Sequence, residues 1–417
     1  MCQDSRVAGT TQLATHEQIR AQFPALESGF AFFENAGGSL LPKQVIDRMT
    51  DLLTNAYVQI GAGYPASDAV TETADSAKAF ANVLMNGEGV GTTVLGPSTT
   101  DLLYRLSNSM ADHIEPGDEV VVSIANHESN ISPWIRLEKA GAKVVWWDVD
   151  PESGDYSYEE LKSLLGPRTK LVAVAHTSNL LGDIMDVQRV AEMAHAVGAQ
   201  IVVDGVAFAA HGAVDVQAWD VDFYTVSMYK LYGPHIAGLF GTTEAWAELS
   251  GPNHYFIADD DLPWKWELGC QPYEALAGIL GLGDYLAFVT GSDRPEVDRK
   301  VVEQAFRAMR EFEVLIQAQL MEYLTGVDSI RLVGPRSASA GDRHPTICFL
   351  HDSLNSAEVV GKVNGPEIGI RCGHMYASRL CGRLGAPTDT GFVRISAVHY
   401  NSAEEVDRLI QSLHSVL

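Results

Sequence analysis

Basic residues are scarce in this chain: 29 Lys and Arg stand against 54 Asp and Glu, a formal charge of -25 at pH 7 over 417 residues. A surface field of that sign repels phosphate backbones and anionic membranes, so neither nucleic acid nor a membrane is expected as a partner. Any anionic ligand must be held by a local pocket of a few cations, helix N-termini and backbone N–H groups. Cysteine is sparse as well. Cys2, Cys270, Cys348, Cys372 and Cys381 are odd in number and widely spread, which argues against a disulfide framework and for a reducing compartment. Long apolar runs are missing, and the N-terminal MCQDSRVAGTTQLATHEQIR has no apolar stretch of the signal-peptide kind, so a cytoplasmic, soluble protein is expected. The 37 Gly and 17 Pro are distributed rather than clustered, which excludes collagen-like, mucin-like and disordered chains.

What is present is an alternation. Between residues 90 and 245, short β-branched runs alternate with helical patterns, the signature of strands and crossover helices in a parallel sheet. Expected strands are Glu119 to Ile124, Lys143 to Val149, Lys170 to His176, Gln200 to Asp204, Asp222 to Ser227 and Ile236 to Gly241. Asp186 caps a helix through His195 whose Val187, Val190, Ala191 and Ala194 form one apolar face. After about Thr290 the pattern changes to a long amphipathic stretch, Arg294 to Thr325, then strand-like Ile330 to Val333, Thr346 to Leu350 and Phe392 to Val398, and a closing helix, Ala403 to Leu417. The reading is α/β: a large domain over residues 26–290 with a mainly parallel sheet, and a smaller α+β C-terminal domain over 291–417. The N-terminal segment, 1–25, is expected to pack with the small domain.

The most informative local sequence is Ser227-Met228-Tyr229-Lys230-Leu231-Tyr232-Gly233-Pro234, at the end of an expected strand. Lysine there lies at the carboxyl edge of a parallel sheet, where open α/β proteins place ligands. Asp204 ends the strand Ile201-Val202-Val203-Asp204 and puts a carboxylate on the same edge. An acid and a lysine, each terminating a buried strand, are the pair a pyridoxal phosphate enzyme needs: a Schiff-base amine and an anion that keeps the pyridine nitrogen protonated. A buried salt bridge between the two is the plainer alternative.

With these residues, Phe33-Glu34-Asn35-Ala36-Gly37-Gly38, Ser98-Thr99-Thr100-Asp101, Asn126-His127-Glu128-Ser129-Asn130, His176-Thr177-Ser178-Asn179 and Arg394 follow one another in the order of a known family. The chain resembles the class V aminotransferases, pyridoxal-phosphate enzymes of fold type I, in their cysteine desulfurase-like branch. The resemblance implies Lys230 as the Schiff-base lysine, Asp204 as the partner of the pyridine nitrogen, His127 as the histidine stacked on the ring and Asn179 as the amide at the ring 3-oxygen. It implies a phosphate seat at Thr99, Thr100 and Ser227, with Tyr229 where desulfurases usually carry a histidine. Asn35, Ala36 and Arg371 are implied on the substrate side. Arg394 resembles the arginine that grips the substrate α-carboxylate, a task suited to a planar, bidentate fork. Cys270, in Glu267-Leu268-Gly269-Cys270-Gln271-Pro272, stands where the family reaches the partner subunit's phosphate through a threonine, which implies a homodimer with a shared active site.

Two departures bear on the reaction. Tyr376, in Arg371-Cys372-Gly373-His374-Met375-Tyr376-Ala377, occupies the place of the cysteine that takes sulfur as a persulfide, and Ala207 replaces a glutamine near the cofactor. Cys372 and Cys381 are the neighbouring thiols. With His374 they suggest metal ligands, but no fourth ligand has zinc-like spacing, so no metal is expected. The expected activity is cleavage at the β-carbon of a cysteine-like amino acid, desulfurase-like or C–S lyase. The alternative is transamination or epimerisation at the α-carbon.

Overall fold

The computed structural model describes residues 12–292 and 297–417. The expectations for the first part of the N-terminal segment, for Cys2 and for a helix start at Arg294 lie outside the described residues. The chain passes through a two-stranded contact at β1 (Ala31–Phe32) and then builds a seven-stranded sheet from β2 (Gly91–Gly96), β3 (Glu119–Ser123), β4 (Lys143–Trp147), β5 (Thr169–Ala175), β6 (Gln200–Asp204), β7 (Phe223–Ser227) and β8 (Ala237–Thr242). Their order is β2-β8-β7-β6-β5-β3-β4. The pairs β3–β4, β3–β5, β5–β6 and β6–β7 are parallel, while β8 runs antiparallel to both neighbours. The edge strand β2 was not anticipated: two threonines and two glycines in Gly91-Thr-Thr-Val-Leu-Gly96 dilute its apolar pattern.

Both faces of this sheet are covered, which is why its strands read as nearly continuous apolar runs. Val121, Val172, Val203 and Tyr224 pack into one apolar layer, and Val120, Val122, Leu171, Ala173, Val202 and Phe223 into the other. Helix Val187–His195 follows Asp186, whose side chain accepts from the Arg189 N–H as the expected cap. Helices Lys43–Asn55, Pro65–Met85 and Tyr273–Thr290 pack together beside the sheet.

A second, four-stranded antiparallel sheet has the order β12 (Arg371–Gly373), β13 (Phe392–Ser396), β10 (Thr346–His351) and β9 (Ile330–Val333). Helices Arg299–Thr325, Ser356–Val363 and Ala403–His414 close over it, and Ser402 forms a capping box with Glu405. β1 pairs in parallel with β11 (Ile368–Gly369), so the chain touches this C-terminal layer before entering the large sheet. Residues 12–25 touch both parts: Ala14 N–H donates to Val289 O, and Arg20 pairs with Glu405 at 2.7 Å.

One turn couples the two sheets next to the cleft described below. Gly182 has φ +68°, and a Cβ there would stand 2.2 Å from the Thr346 carbonyl oxygen at the start of β10. His344 N–H donates to Gly182 O at 2.7 Å across the same contact. Gly182→Ala therefore combines left-handed backbone strain with a backbone clash. It is expected to lower stability by at least about 2 kcal/mol, read as a lowered denaturant midpoint, and an unchanged midpoint would mean that the turn repacks freely.

Candidate active site

Four parallel strands deliver polar groups to one edge of the large sheet. His127 follows β3, Asn179 follows β5, Asp204 ends β6, and Ser227 ends β7 just before Lys230. The loop after β3 is stitched down by its flanking amides. Asn126 Nδ2 donates to Ala173 O at 2.9 Å, Asn130 Nδ2 donates to Val174 O at 3.0 Å, and Trp134 Nε1 donates to Asn130 Oδ1 at 2.9 Å. Between these anchors the His127 ring is free to line the cavity. Its Nδ1 accepts from the Ser129 N–H at 3.1 Å, which assigns the remaining proton to Nε2.

Ser98, Thr99, Thr100, His127, Ala175, Thr177, Asn179, Asp204, Ala207, Ser227, Tyr229 and Lys230 are among the residues lining an inner cavity of about 80 Å³. Thr100, His127, Asn179, Tyr229 and Lys230 also line an outer cleft of about 520 Å³, walled further by Tyr104, Glu128, Ser132, Arg371, Tyr376 and Arg394. Helix Thr99–Met110 begins at the cavity wall, capped by Ser98, whose hydroxyl accepts from Asp101 N–H. Thr99 Oγ1 lies 2.9 Å from Ser227 Oγ. Free first-turn N–H groups beside two hydroxyls form a seat suited to a phosphate.

Asp204 and Lys230 form no ion pair among the described residues, so the plainer salt-bridge reading is not what the fold builds. Asp204 accepts from Val206 N–H at 2.9 Å, and burial raises its pKa. Burial, reinforced by the Arg394 charge, pushes the Lys230 amine down to about 8, against the pull of Asp204 and Glu34. Burial and then the Lys230 and Arg394 charges lower His127 to about 3, so its ring is neutral at physiological pH. Asn179 donates to Met375 O at 2.8 Å, while its Oδ1 is buried without a partner. Such an orphan costs about 1–3 kcal/mol unless a bound group supplies the hydrogen, so the donor set fits a phosphorylated pyridine with a ring hydroxyl.

Arg394 sits in β13, 2% exposed, in register with Arg371 of β12. It donates from Nη1 to Asn179 O and from Nη2 to Glu34 Oε1, both at 3.2 Å. Arg371 donates to the same Oε1 at 3.1 Å. Glu34 was given no role from sequence, because more than three hundred residues separate it from both arginines and only the fold brings them together. Tyr104, Ser129 and Ser132 also went unassigned, since nothing but tertiary packing brings them to the cleft.

Asn35, expected on the substrate side, is placed elsewhere. Its amide donates to Phe32 O, Ser396 O and Asn401 Oδ1 and accepts from the Tyr400 hydroxyl, so it ties the segment together instead of facing the cleft. Ala36 does line the cleft, though its N–H is held by Ser396 Oγ at 2.9 Å. Cys270 lies in a separate cavity with Gln59 and Tyr273. Tyr376 is at the cleft, 5.3 Å from the His127 ring centroid, in a loop where Met375 and Tyr376 both have positive φ. Cys372 and Cys381 do not line it, and burial raises both thiols, Cys381 to about 12.

Lys230 offers a direct check on these electrostatics. After reductive ¹³C-methylation of cofactor-free protein, one lysine resonance should titrate near pH 8 and be missing from Lys230→Ala. Titration of every lysine near the ordinary value of about 10.4 would contradict the site as described.

Comparison with known proteins agrees with this geometry. The family Aminotransferase class-V matches residues 31–409. The chain is 38% identical to the aminotransferase-like protein FGM3 of Gibberella zeae, over 96% of this chain and 98% of that one. It is 31% identical to a cysteine desulfurase of Dickeya dadantii, over 96% of each. Among solved structures, the cysteine desulfurase CsdA of Escherichia coli superposes with a TM-score of 0.81 at 25% identity, covering 97% of this chain and 98% of that one. Matched by this family over most of its length and similar to these proteins in sequence and fold, the chain belongs to the class V aminotransferases of fold type I, in their cysteine desulfurase-like branch of pyridoxal-phosphate enzymes.

Proposed function

We propose that this enzyme binds pyridoxal phosphate in the inner cavity and cleaves a bond at the β-carbon of a cysteine-like amino acid, as a desulfurase-like enzyme or C–S lyase without a persulfide cysteine. The carrying observation is one cleft lined by a lysine lowered to about 8 and a buried arginine, with a tyrosine and no thiol among its lining residues. Thr99, Thr100, Ser227 and Tyr229 would hold the phosphate, Asp204 the pyridine nitrogen, His127 one ring face and Asn179 the ring oxygen. When bound, the cofactor supplies an electron sink for negative charge at the substrate α-carbon. Arg394 holds the α-carboxylate, and Lys230 Nζ, neutral in a good fraction of molecules near pH 8, moves the α-proton. Tyr376 cannot accept sulfur as a persulfide, so the sulfur of cysteine leaves as sulfide by β-elimination, with pyruvate and ammonia as the other products.

The absence of a cleft thiol among the described residues also favours a second reading, transamination or epimerisation at the α-carbon. The family resemblance would bring the loop of the exposed Cys270 to a phosphate of the opposite subunit, in a homodimer with a shared site. No helix among the described residues is long and apolar enough to cross a membrane, and a cytoplasmic location suits the unpaired thiols.

Reconstitution with pyridoxal phosphate should give a visible absorption band that is lost in Lys230→Ala; wild type without the band would end this reading. With cysteine, pyruvate, ammonia and sulfide should appear, with no persulfide on Cys372 or Cys381 by mass spectrometry. Lack of any C–S cleavage across an amino-acid panel would transfer the assignment to α-carbon chemistry. Arg394→Ala should weaken amino-acid binding at least about 10-fold while the band persists. Equal loss of cofactor and substrate would make the arginine structural.

A further inference from the structure

Two guanidinium groups at a substrate cleft raise a question of charge. Arg371 and Arg394 are directly opposite in the β12–β13 register, and both line the outer cleft. Like charges placed opposite one another destabilise a strand pair, and Arg394 is too buried to shed its charge into water. The counter-charge is Glu34, whose Oε1 takes a hydrogen bond from each guanidinium, at 3.1 and 3.2 Å. Glu34 itself is not among the residues lining the cleft; its carboxylate, with the side chain 23% exposed, lies next to Gly37, which is.

Gly37 makes that placement available. A Cβ at residue 37 would stand 2.0 Å from Glu34 Oε1 and 2.6 Å from its carboxyl carbon. The obstructed atoms are the end of a flexible side chain, so an added methyl group would evict the carboxylate before it moved the backbone. Meanwhile Arg394 keeps a buried Nε without a partner, a donor left over after Asn179 O and Glu34 have been served.

We propose that Glu34 is a positioning and specificity-determining residue: it clamps Arg371 and Arg394, aims them into the cleft and cancels one of their two charges, so that the site takes one ligand carboxylate and disfavours two. The inference rests on the proposed function, because it requires Arg394 to face a carboxylate. It goes further in naming the ligand class, amino acids whose side chain carries no second anionic group.

The test compares propionate with succinate, binding to pyridoxal-phosphate-loaded enzyme by calorimetry, at low and high salt. Glu34→Gln keeps an acceptor between the guanidiniums and removes the charge. It should raise the succinate-to-propionate affinity ratio at least about 10-fold at low salt, with a smaller rise at high salt. Gly37→Ala, which displaces the carboxylate, should raise the ratio in the same direction, and Glu34→Gln in that background should add little. A ratio unchanged in Glu34→Gln, or equal weakening of both ligands, would overturn the role given to Glu34 while leaving Arg394 as the carboxylate site. Wild type and Arg394→Ala binding propionate equally would overturn the Arg394 reading, and this inference with it.

Discussion

Lys230 and Arg394 are two of the three cations that line one cleft, and the chemistry of the site depends on how the fold keeps both there. Lys230 lessens the cost of burial by holding its proton less tightly: burial and the nearby Arg394 bring it to about 8. Arg394 cannot lose its proton, because a guanidinium stays charged in proteins. It is compensated instead by Glu34 and the Asn179 carbonyl. One cation is therefore readily neutralised and the other stays a fixed charge, and the difference follows from side-chain type and neighbours.

The same burial sets the character of the other groups. His127 is lowered to about 3 by desolvation and by these two cations, so it offers a flat neutral ring instead of an acid. Asp204 is raised by burial, yet Lys230 and the Val206 N–H act in the opposite direction. A cationic ring nitrogen beside Asp204 would favour its ionised form further. Acid, histidine and lysine arrive from neighbouring parallel strands, so their spacing is fixed by the sheet rather than by flexible loops.

This explains what was legible in the sequence. Val202-Val203-Asp204 and Val226-Ser227 are local patterns, and a parallel sheet converts strand ends into a common edge, so Asp204 and Lys230 could be placed together from the sequence, while His127 and Ser227 joined them through the family resemblance. The Asp186 cap and the Ser402 capping box are equally local. Long-range pairing was not legible. β1 meets β11 across more than three hundred residues, and Glu34 meets Arg371 and Arg394 by the same route. Asn35 illustrates the converse: motif position pointed to substrate, but Ser396, Tyr400 and Asn401, none of them near in sequence, consume its amide.

The loop around Tyr376 shows how a departure in one residue is built into its surroundings. Met375 and Tyr376 are consecutive non-glycine residues with φ of +48° and +59°, each costing about 1–2 kcal/mol. The strain is offset by ties to the site itself: Met375 O accepts from Asn179 Nδ2 and Tyr376 O accepts from Glu128 N–H. Those ties bring the phenol ring close to His127. Because the loop is anchored to Asn179 and Glu128, which both line the outer cleft, its conformation and the positions of Asn179 and His127 are interdependent. A side chain at 376 is thereby held at the cleft, while Cys372 and Cys381 are excluded from its lining and kept protonated by burial.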